Sequence, residues 1–374
     1  MDKLGLIILA GGLSTRMGRP KALLPWINGE SLISHALRKG LDADVQDILI
    51  SIGDDEQLGL AIQTHIIDTL SNDEKNKVSI VRDSVGRCGP LGGLYSTLAV
   101  GTSSAYAVMA VDMPFMEMDL YYDWLYQVEH NDWNAIVPYG ESGKSEPMAG
   151  IYRPHIASLI QSILVSEDVS LHHALDVIGH VESIDACDYS WELSNINRFE
   201  DYQWARALAE NEFRRVPLIS VVASKRKTGK TTVVTRLVSE LQKIGLSVGV
   251  VKSDKHGFQM DHEGTDTDLV YKAGADAVAI AGPTETAIRI RTKEQSNLYE
   301  ISQFMPVDIV ILETRSQGIA PIIEVTQEGY TEELISDPMD RVATIEIGKL
   351  DQDVPELVRH IQEMMRSLNG RRYC

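Results

Sequence analysis

Two glycine-and-lysine segments, each placed directly after an apolar run, are the parts of this chain best equipped for chemistry. The first follows Leu4–Leu9 and reads Ala10-Gly11-Gly12, then Ser14, Arg16, Gly18 and Lys21. Glycines let backbone N–H groups approach a polyphosphate without obstruction by a Cβ. Arg16 adds a planar guanidinium fork and Lys21 a compact point charge. Two glycines alone would be an ordinary turn; the strand, loop, arginine and lysine together point to a triphosphate. The second segment follows Leu218–Val222 and reads Ala223-Ser-Lys-Arg-Lys-Thr228-Gly229-Lys230-Thr231-Thr232, ahead of a long helical stretch. Gly-Lys-Thr is the core of a P-loop, in which lysine meets the β- and γ-phosphates and the threonine hydroxyl meets Mg²⁺. Ser224 stands where the first glycine of that motif usually is, so the strand–loop–helix context carries the reading.

Each loop has a matching carboxylate. Asp112 follows the apolar run Ala105–Val111 and precedes Met113-Pro114, which puts it at the carboxyl end of a strand, where α/β sheets bind ligands. Mg²⁺ takes one or two carboxylates plus phosphate oxygens and water, so Asp112 needs few protein partners. Glu313 closes the run Asp308–Leu312 in a Walker-B-like arrangement. The acidic run Asp261–Asp268 lacks the glycine and glutamate positions of an EF-hand.

These groups need a scaffold, and the hydrophobic pattern supplies one. Apolar runs at 4–9, 47–52, 78–81, 105–111 and 135–138 alternate with helical stretches at 31–39, 154–164 and 200–211. The pattern restarts after the charged stretch Glu210–Arg215, with strands expected at 218–222, 247–251, 277–281, 308–312 and 343–347 and helices at 230–244 and 354–368. Alternating strands and helices mean parallel α/β sheets. The 374 residues suit two domains, placed at 1–212 and 213–374.

A formal net charge of −19 argues against a nucleic-acid partner, which would require clustered cations. It leaves a mononucleotide site, with a few local cations, open. Cys88, Cys187 and Cys374 show no metal-ligand spacing, and a sparse, odd count fits a reducing compartment. No stretch approaches the ~18 apolar residues that span a bilayer, and the amino end reads as a strand rather than a leader. A cytoplasmic protein without a membrane partner is the expectation.

The first loop, the Asp83, Gly86 and Gly89-Pro-Leu-Gly-Gly93 stretch, the Asp112-Met-Pro-Phe115 turn and Asn195-Ile-Asn197 follow one another in an order that resembles the molybdenum cofactor guanylyltransferases. That family is the molybdopterin-guanine dinucleotide biosynthesis protein A family, and the resemblance covers about residues 4–208. The order of Gly229-Lys-Thr, Lys252, Asp266-Thr267 and Glu313 over about 217–350 resembles the GTP-binding adaptor, or B, family of the same pathway. The resemblances imply a Rossmann-like nucleotidyltransferase domain followed by a P-loop NTPase domain.

For the first domain they imply nucleotide contacts from Leu9, Ala10, Gly11, Gly12, Ser14, Gly18, Lys21, Asp83 and Gly92. Lys21, Arg16 and Asp112 are the implied catalytic groups. Thr228, Gly229, Lys230, Thr231 and Thr232 would hold nucleotide in the second. Mg²⁺ is the implied cofactor, held by Asp112 (with Asn197 as a further candidate) in one domain and by Thr231 and Glu313 in the other. The implied reaction is attack by the terminal phosphate of molybdopterin on the α-phosphorus of GTP, with release of pyrophosphate. The implied partners are GTP, molybdopterin, acceptor molybdoenzymes or their chaperones, and a second copy of the chain. Two alternatives stay open. The Arg16-Met-Gly-Arg-Pro-Lys21 wording is shared with cytidylyltransferases of the same cofactor, and a non-catalytic GTP-binding scaffold is the reading outside enzymes.

Overall fold

The computed structural model describes residues 4–11, 20–85, 88–128, 132–140, 142–166, 168–225, 227–253, 262–292, 296–315, 318–327 and 334–372. The chain divides into two compact units, Met1–Tyr202 and Gln203–Cys374.

The first unit holds strands β1 (Leu4–Leu9), β2 (Ile48–Ser51), β3 (Val78–Val81), β4 (Ala105–Ala110), β5 (Ala135–Tyr139), β6 (Ile151–Tyr152) and β7 (Val181–Asp185). Its helices are α1 (Leu32–Asp42), α2 (Glu56–His65), α3 (Asn72–Lys75), α4 (Gly89–Leu98), α5 (Met118–Gln127), α6 (Ala157–Ile163) and α7 (Leu171–Ile178), and α8 (Phe199–Glu212) starts in it. The strands form one sheet in the order β3-β2-β1-β4-β6-β5-β7. All pairings are parallel except those of β6, which runs against both β4 and β5. The sheet is thus parallel, as expected of alternating strands and helices, apart from β6. β6 is two residues long and closed by Arg153-Pro154, too short to register as a hydrophobic run.

Side chains of β1 alternate between the two faces. Ile7 and Leu9 enter a buried cluster with Leu91 and Leu94 of α4, Ile160 of α6 and Ala174 of α7. On the other face Leu6 meets α1, where a Cβ on Gly40 would lie 2.6 Å from its Cδ2. Helix α1 starts sharply because Ser31 and Ser34 exchange side-chain and backbone hydrogen bonds in a capping box. Helix α4 begins at Gly89, with Pro90 in its first turn.

The second unit holds β8 (Leu218–Val222), α9 (Lys230–Lys243), β9 (Val248–Lys252), α10 (Asp266–Lys272), β10 (Ala277–Ala281), β11 (Thr286–Ile290), α11 (Leu298–Phe304), β12 (Ile309–Glu313), β13 (Ile322–Thr326), β14 (Arg341–Glu346) and α12 (Leu350–Arg372). Five strands form a parallel sheet, β14-β13-β8-β12-β9. The run Ala277–Ala281 does not join it. Instead β10 and β11 pair with each other as an antiparallel ribbon, largely exposed along both strands. Helix α12 buries Val354, Leu357, Val358, Ile361, Met364, Met365 and Leu368, a helical-period stripe in which each side chain contributes roughly 1.5–3 kcal/mol by leaving water.

The division between units falls inside α8, at 202/203, rather than after it at 212/213. The later part of α8 is bound to the second unit's own elements. Asn211 is fully buried, donates to Leu218 O at 3.3 Å and accepts from Leu218 N at 2.8 Å. Arg206 pairs with Asp340 at 3.0 Å.

Candidate functional site

In the first unit the strand order places a crevice at the carboxyl ends of β1 and β4, where connections leave in opposite directions. Leu9 and Ala10 are buried there, and the N–H groups of Ala10 and Gly11 both donate to Ser51 O at 2.9 Å. Gly11 lies so close to the loop after β2 that a Cβ would stand 2.5 Å from Gly53 N. No side chain fits there. Gly12, Ser14, Arg16 and Gly18 lie outside the described residues.

Lys21 and Asp112, 91 residues apart, meet at 2.9 Å with 20% and 19% of their side chains exposed. Asp112 is held through its backbone: Val111 N donates to Leu9 O at 3.1 Å, and Ile196 N donates to Asp112 O at 2.8 Å. The Asn195–Asn197 segment therefore docks against the carboxylate's own peptide. The Asn195 Oδ1 atom is buried without a hydrogen-bond partner. Asn197 is exposed, and its N–H and that of Arg198 donate to Asp201 at 3.1 and 2.7 Å at the start of α8.

Asp83 lies beside the same crevice. Its N–H donates to Gly53 O at 2.9 Å, and its Oδ1 accepts from the Ser51 hydroxyl at 3.1 Å. Gly92 backs onto it, since a side chain there would meet Asp83 Oδ2 at 3.3 Å. Burial pushes the Asp83 carboxyl above the usual carboxylate range, Ser51 works against that push, and Asp54 adds to it.

In the second unit a cavity of about 290 Å³ opens over the start of α9, lined among others by Lys227, Thr228, Gly229, Lys230, Thr231, Lys252, Glu313 and Arg315. Gly229 has φ +92°, and a Cβ would lie 2.4 Å from Ile347 Cδ1, so a left-handed glycine closes the loop tightly. Thr228 Oγ1 donates to Lys225 O at 2.6 Å. The Thr231 hydroxyl donates to Glu313 Oε1 at 3.1 Å, and Lys252 Nζ lies 3.3 Å from the same oxygen. Thr232 is exposed one residue further into α9. Burial pulls the Lys230 ammonium below its ordinary value; Glu313 opposes this, while Arg315 and Lys252 reinforce it. The cavity gathers four cations about one carboxylate, which suits a polyphosphate accompanied by a metal.

Residues 6–181 match the MobA-like NTP transferase domain, and residues 218–346 match molybdopterin guanine dinucleotide synthesis protein B. The chain joins a MobA-like domain to a MobB domain. A probable molybdenum cofactor guanylyltransferase of Bacillus cereus (strain G9842) is 27% identical over 216 residues, covering 57% of this chain and all of that protein. Molybdopterin-guanine dinucleotide biosynthesis protein A of Archaeoglobus fulgidus aligns with a TM-score of 0.45 at 17% identity, over 55% of this chain and 98% of its own. A MobB homologue of Bacillus stearothermophilus aligns over 39% of this chain and 98% of its own, with a TM-score of 0.29 at 17% identity.

The MobA-like domain makes the chain a nucleotidyltransferase. Within it, Lys21 and Asp112 come together, with Leu9, Ala10 and Gly11 beside them. Asp83 and Gly92 form a second group, joined to the first through Gly53 and Ser51. In the MobB domain Lys230, Thr231 and Glu313 share one cavity. Sequence reasoning missed Ser51 and Lys252 as members of these sites. Lys252 stands in the motif order of the second domain, but its approach to Glu313 rests on β9 lying beside β12. No helix among the described residues is long and apolar enough to cross a membrane.

Proposed function

We propose that the MobA-like domain transfers GMP from GTP to the terminal phosphate of molybdopterin, releasing pyrophosphate and forming molybdopterin-guanine dinucleotide. The observation that carries this reading is the 2.9 Å meeting of Lys21 and Asp112, the latter directly after β4 and tied to the end of β1 through Val111 N and Leu9 O. An ammonium for phosphate oxygens and a carboxylate for a cation stand together where the α-phosphate would lie. The acceptor phosphate is itself anionic, so no protein nucleophile is required. Lys21, Arg16 and the loop N–H groups would align the triphosphate and neutralise charge that grows in the transition state.

Enzymes of this kind use a divalent metal, and we propose Mg²⁺. The donor set fits: one part-exposed carboxylate leaves room for phosphate and water oxygens, the coordination Mg²⁺ prefers. When bound, the ion supplies charge neutralisation and a template for in-line displacement. Asp112 would hold it, and Asn197 is kept as a further candidate.

Guanine over cytosine is supported by Asp83. A half-buried carboxylate can accept from the paired N–H donors of guanine's amidine edge, a donor pair that cytosine lacks. For the MobB domain we propose binding of GTP–Mg²⁺ by Thr228–Thr232 and Glu313, slow hydrolysis, and delivery of nucleotide or product to acceptor molybdoenzymes or their chaperones in the cytoplasm. A second copy of the chain is the further partner proposed; the exposed Ile280, Ile288 and Ile290 of the β10–β11 ribbon support it. Sedimentation of the full chain tests that pairing.

Pyrophosphate release by the full chain with molybdopterin and each nucleotide in turn tests the main reading. Turnover with GTP, little with CTP, and loss of turnover in Asp112→Ala and Lys21→Ala are expected. Near-normal turnover in Asp112→Ala would remove the metal assignment, and turnover with CTP alone would favour cytidylyl transfer.

A further inference from the structure

Lys39 lies in the last turn of α1, outside every group described above, yet its side chain ends against the turn that carries Asp112. Only 11% of that side chain is exposed. Its ammonium donates to Pro114 O at 2.7 Å and to Met116 O at 2.8 Å, and pairs with Glu117 Oε1 at 2.8 Å. An ammonium has three N–H donors, and these three acceptors lie within five residues of Asp112.

The turn needs such a donor. Met113, Pro114, Phe115 and Met116 are all buried, so carbonyls pointing inward there must find partners within the protein. Met113 N and Met116 N are engaged by Ala110 O and Met113 O, at 3.0 and 3.2 Å. The ammonium serves the Pro114 and Met116 carbonyls, and it reaches them from a different helix. Phe115, edge-on to Trp26 and Trp191, closes the apolar side of the same turn.

We propose that Lys39 is a positioning residue for nucleotidyl transfer: it pins the 113–117 turn so that Asp112 is presented toward Lys21 at the spacing a metal–triphosphate needs. This rests on the reading of Asp112 as the metal ligand. A group that orients a ligand rather than binding the metal commonly shifts metal affinity by ~10–100-fold when lost.

The test uses the full chain carrying Glu313→Gln, which weakens metal binding at the MobB domain so that the MobA-like domain's response is followed at lower Mn²⁺ concentrations. Lys39→Met, Lys39→Arg and Asp112→Ala are compared by Mn²⁺ titration with GTP present, read by electron paramagnetic resonance, and by the Mn²⁺ dependence of pyrophosphate release. Lys39→Met is expected to weaken Mn²⁺ binding about tenfold and to raise the half-saturating Mn²⁺ concentration in step, with the KM for molybdopterin unchanged. Lys39→Arg, which keeps charge and donors, should recover most of the loss. A merely structural role would lower the active fraction without moving the half-saturating concentration. An unmoved value in folded Lys39→Met overturns the proposal. Should that variant not fold, Lys39→Gln, which removes the charge and leaves only two N–H donors, is measured in its place, and an unmoved value there overturns the proposal equally. If Asp112→Ala binds Mn²⁺ as the parent does, it is the reading of Asp112 that fails.

Discussion

Replacing Lys21 by methionine should have opposite effects on metal alone and on metal with nucleotide. In the free protein the ammonium occupies one face of the Asp112 carboxylate at 2.9 Å, with about a fifth of each side chain exposed. Exposed ion pairs are worth about 0.2–1 kcal/mol, whereas breaking a buried one costs about 3–5 kcal/mol. A part-buried pair lies between, at about 1–2 kcal/mol, which corresponds to a factor of roughly 5–30. A cation entering without nucleotide must displace Lys21 and forfeit that energy, so Lys21→Met should bind free Mn²⁺ roughly 5–30-fold more tightly. With GTP present the lysine's work is transferred to phosphate, and its loss should lower turnover by about 10²–10³. Mn²⁺ titrations with and without GTP, on the full chain carrying Glu313→Gln, separate the two effects. Unchanged or weaker binding of free Mn²⁺ in Lys21→Met would refute the view that lysine and metal compete for one carboxylate.

Three further outcomes are expected. In an Asp112→Ala background, Glu313→Gln should weaken Mg²⁺-dependent GTP binding at the MobB domain about tenfold, because the oxygen that meets Thr231 and Lys252 loses its charge; equal affinities by calorimetry would rule out that role. Gly229→Ala should abolish GTP binding there and cost about 1–2 kcal/mol from the left-handed backbone alone, before the clash with Ile347, as chemical denaturation would measure. The Asp83 carboxyl is raised above its ordinary value, so the folded domain binds that proton more tightly than the unfolded chain does. Its ionisation therefore costs stability at neutral pH, and the cost vanishes as pH falls through the raised value. Asp83→Asn should melt higher than the parent at neutral pH, with the difference shrinking in acid, while GTP binding by the parent weakens over the same acid range. A pH-independent difference in melting temperature would contradict this.

Much of the site was legible in the sequence because its parts are local. An apolar run ending in Gly-Gly, another ending in Asp112-Met-Pro, and Gly229-Lys-Thr ahead of a helical stripe each announce a strand end and what stands on it. What stayed hidden depends on neighbours set by sheet order. Ser51 reaches Asp83 only because β2 and β3 are adjacent, and Lys252 reaches Glu313 only because β9 flanks β12. β13 escaped notice because Glu324 interrupts its apolar run. That glutamate is buried and satisfied by Ser336 N at 3.0 Å, Ile335 N at 2.8 Å and Arg341 at 3.4 Å, partners no period analysis could assign. The run Ala277–Ala281 forms a strand, but its partner β11 is an alternating, exposed run, so the pair stands outside the parallel sheet.

The fit of Gly11 against Gly53 has a consequence for fidelity. Gly53 O in turn receives the Asp83 N–H, so the start of the triphosphate cradle and the carboxylate that would face the purine share one stiff seam of backbone. A nucleobase that sits badly against Asp83 would tilt that seam and carry the phosphate cradle with it. Discrimination between nucleotides would then register as slower chemistry on whatever has bound, over and above any loss of grip.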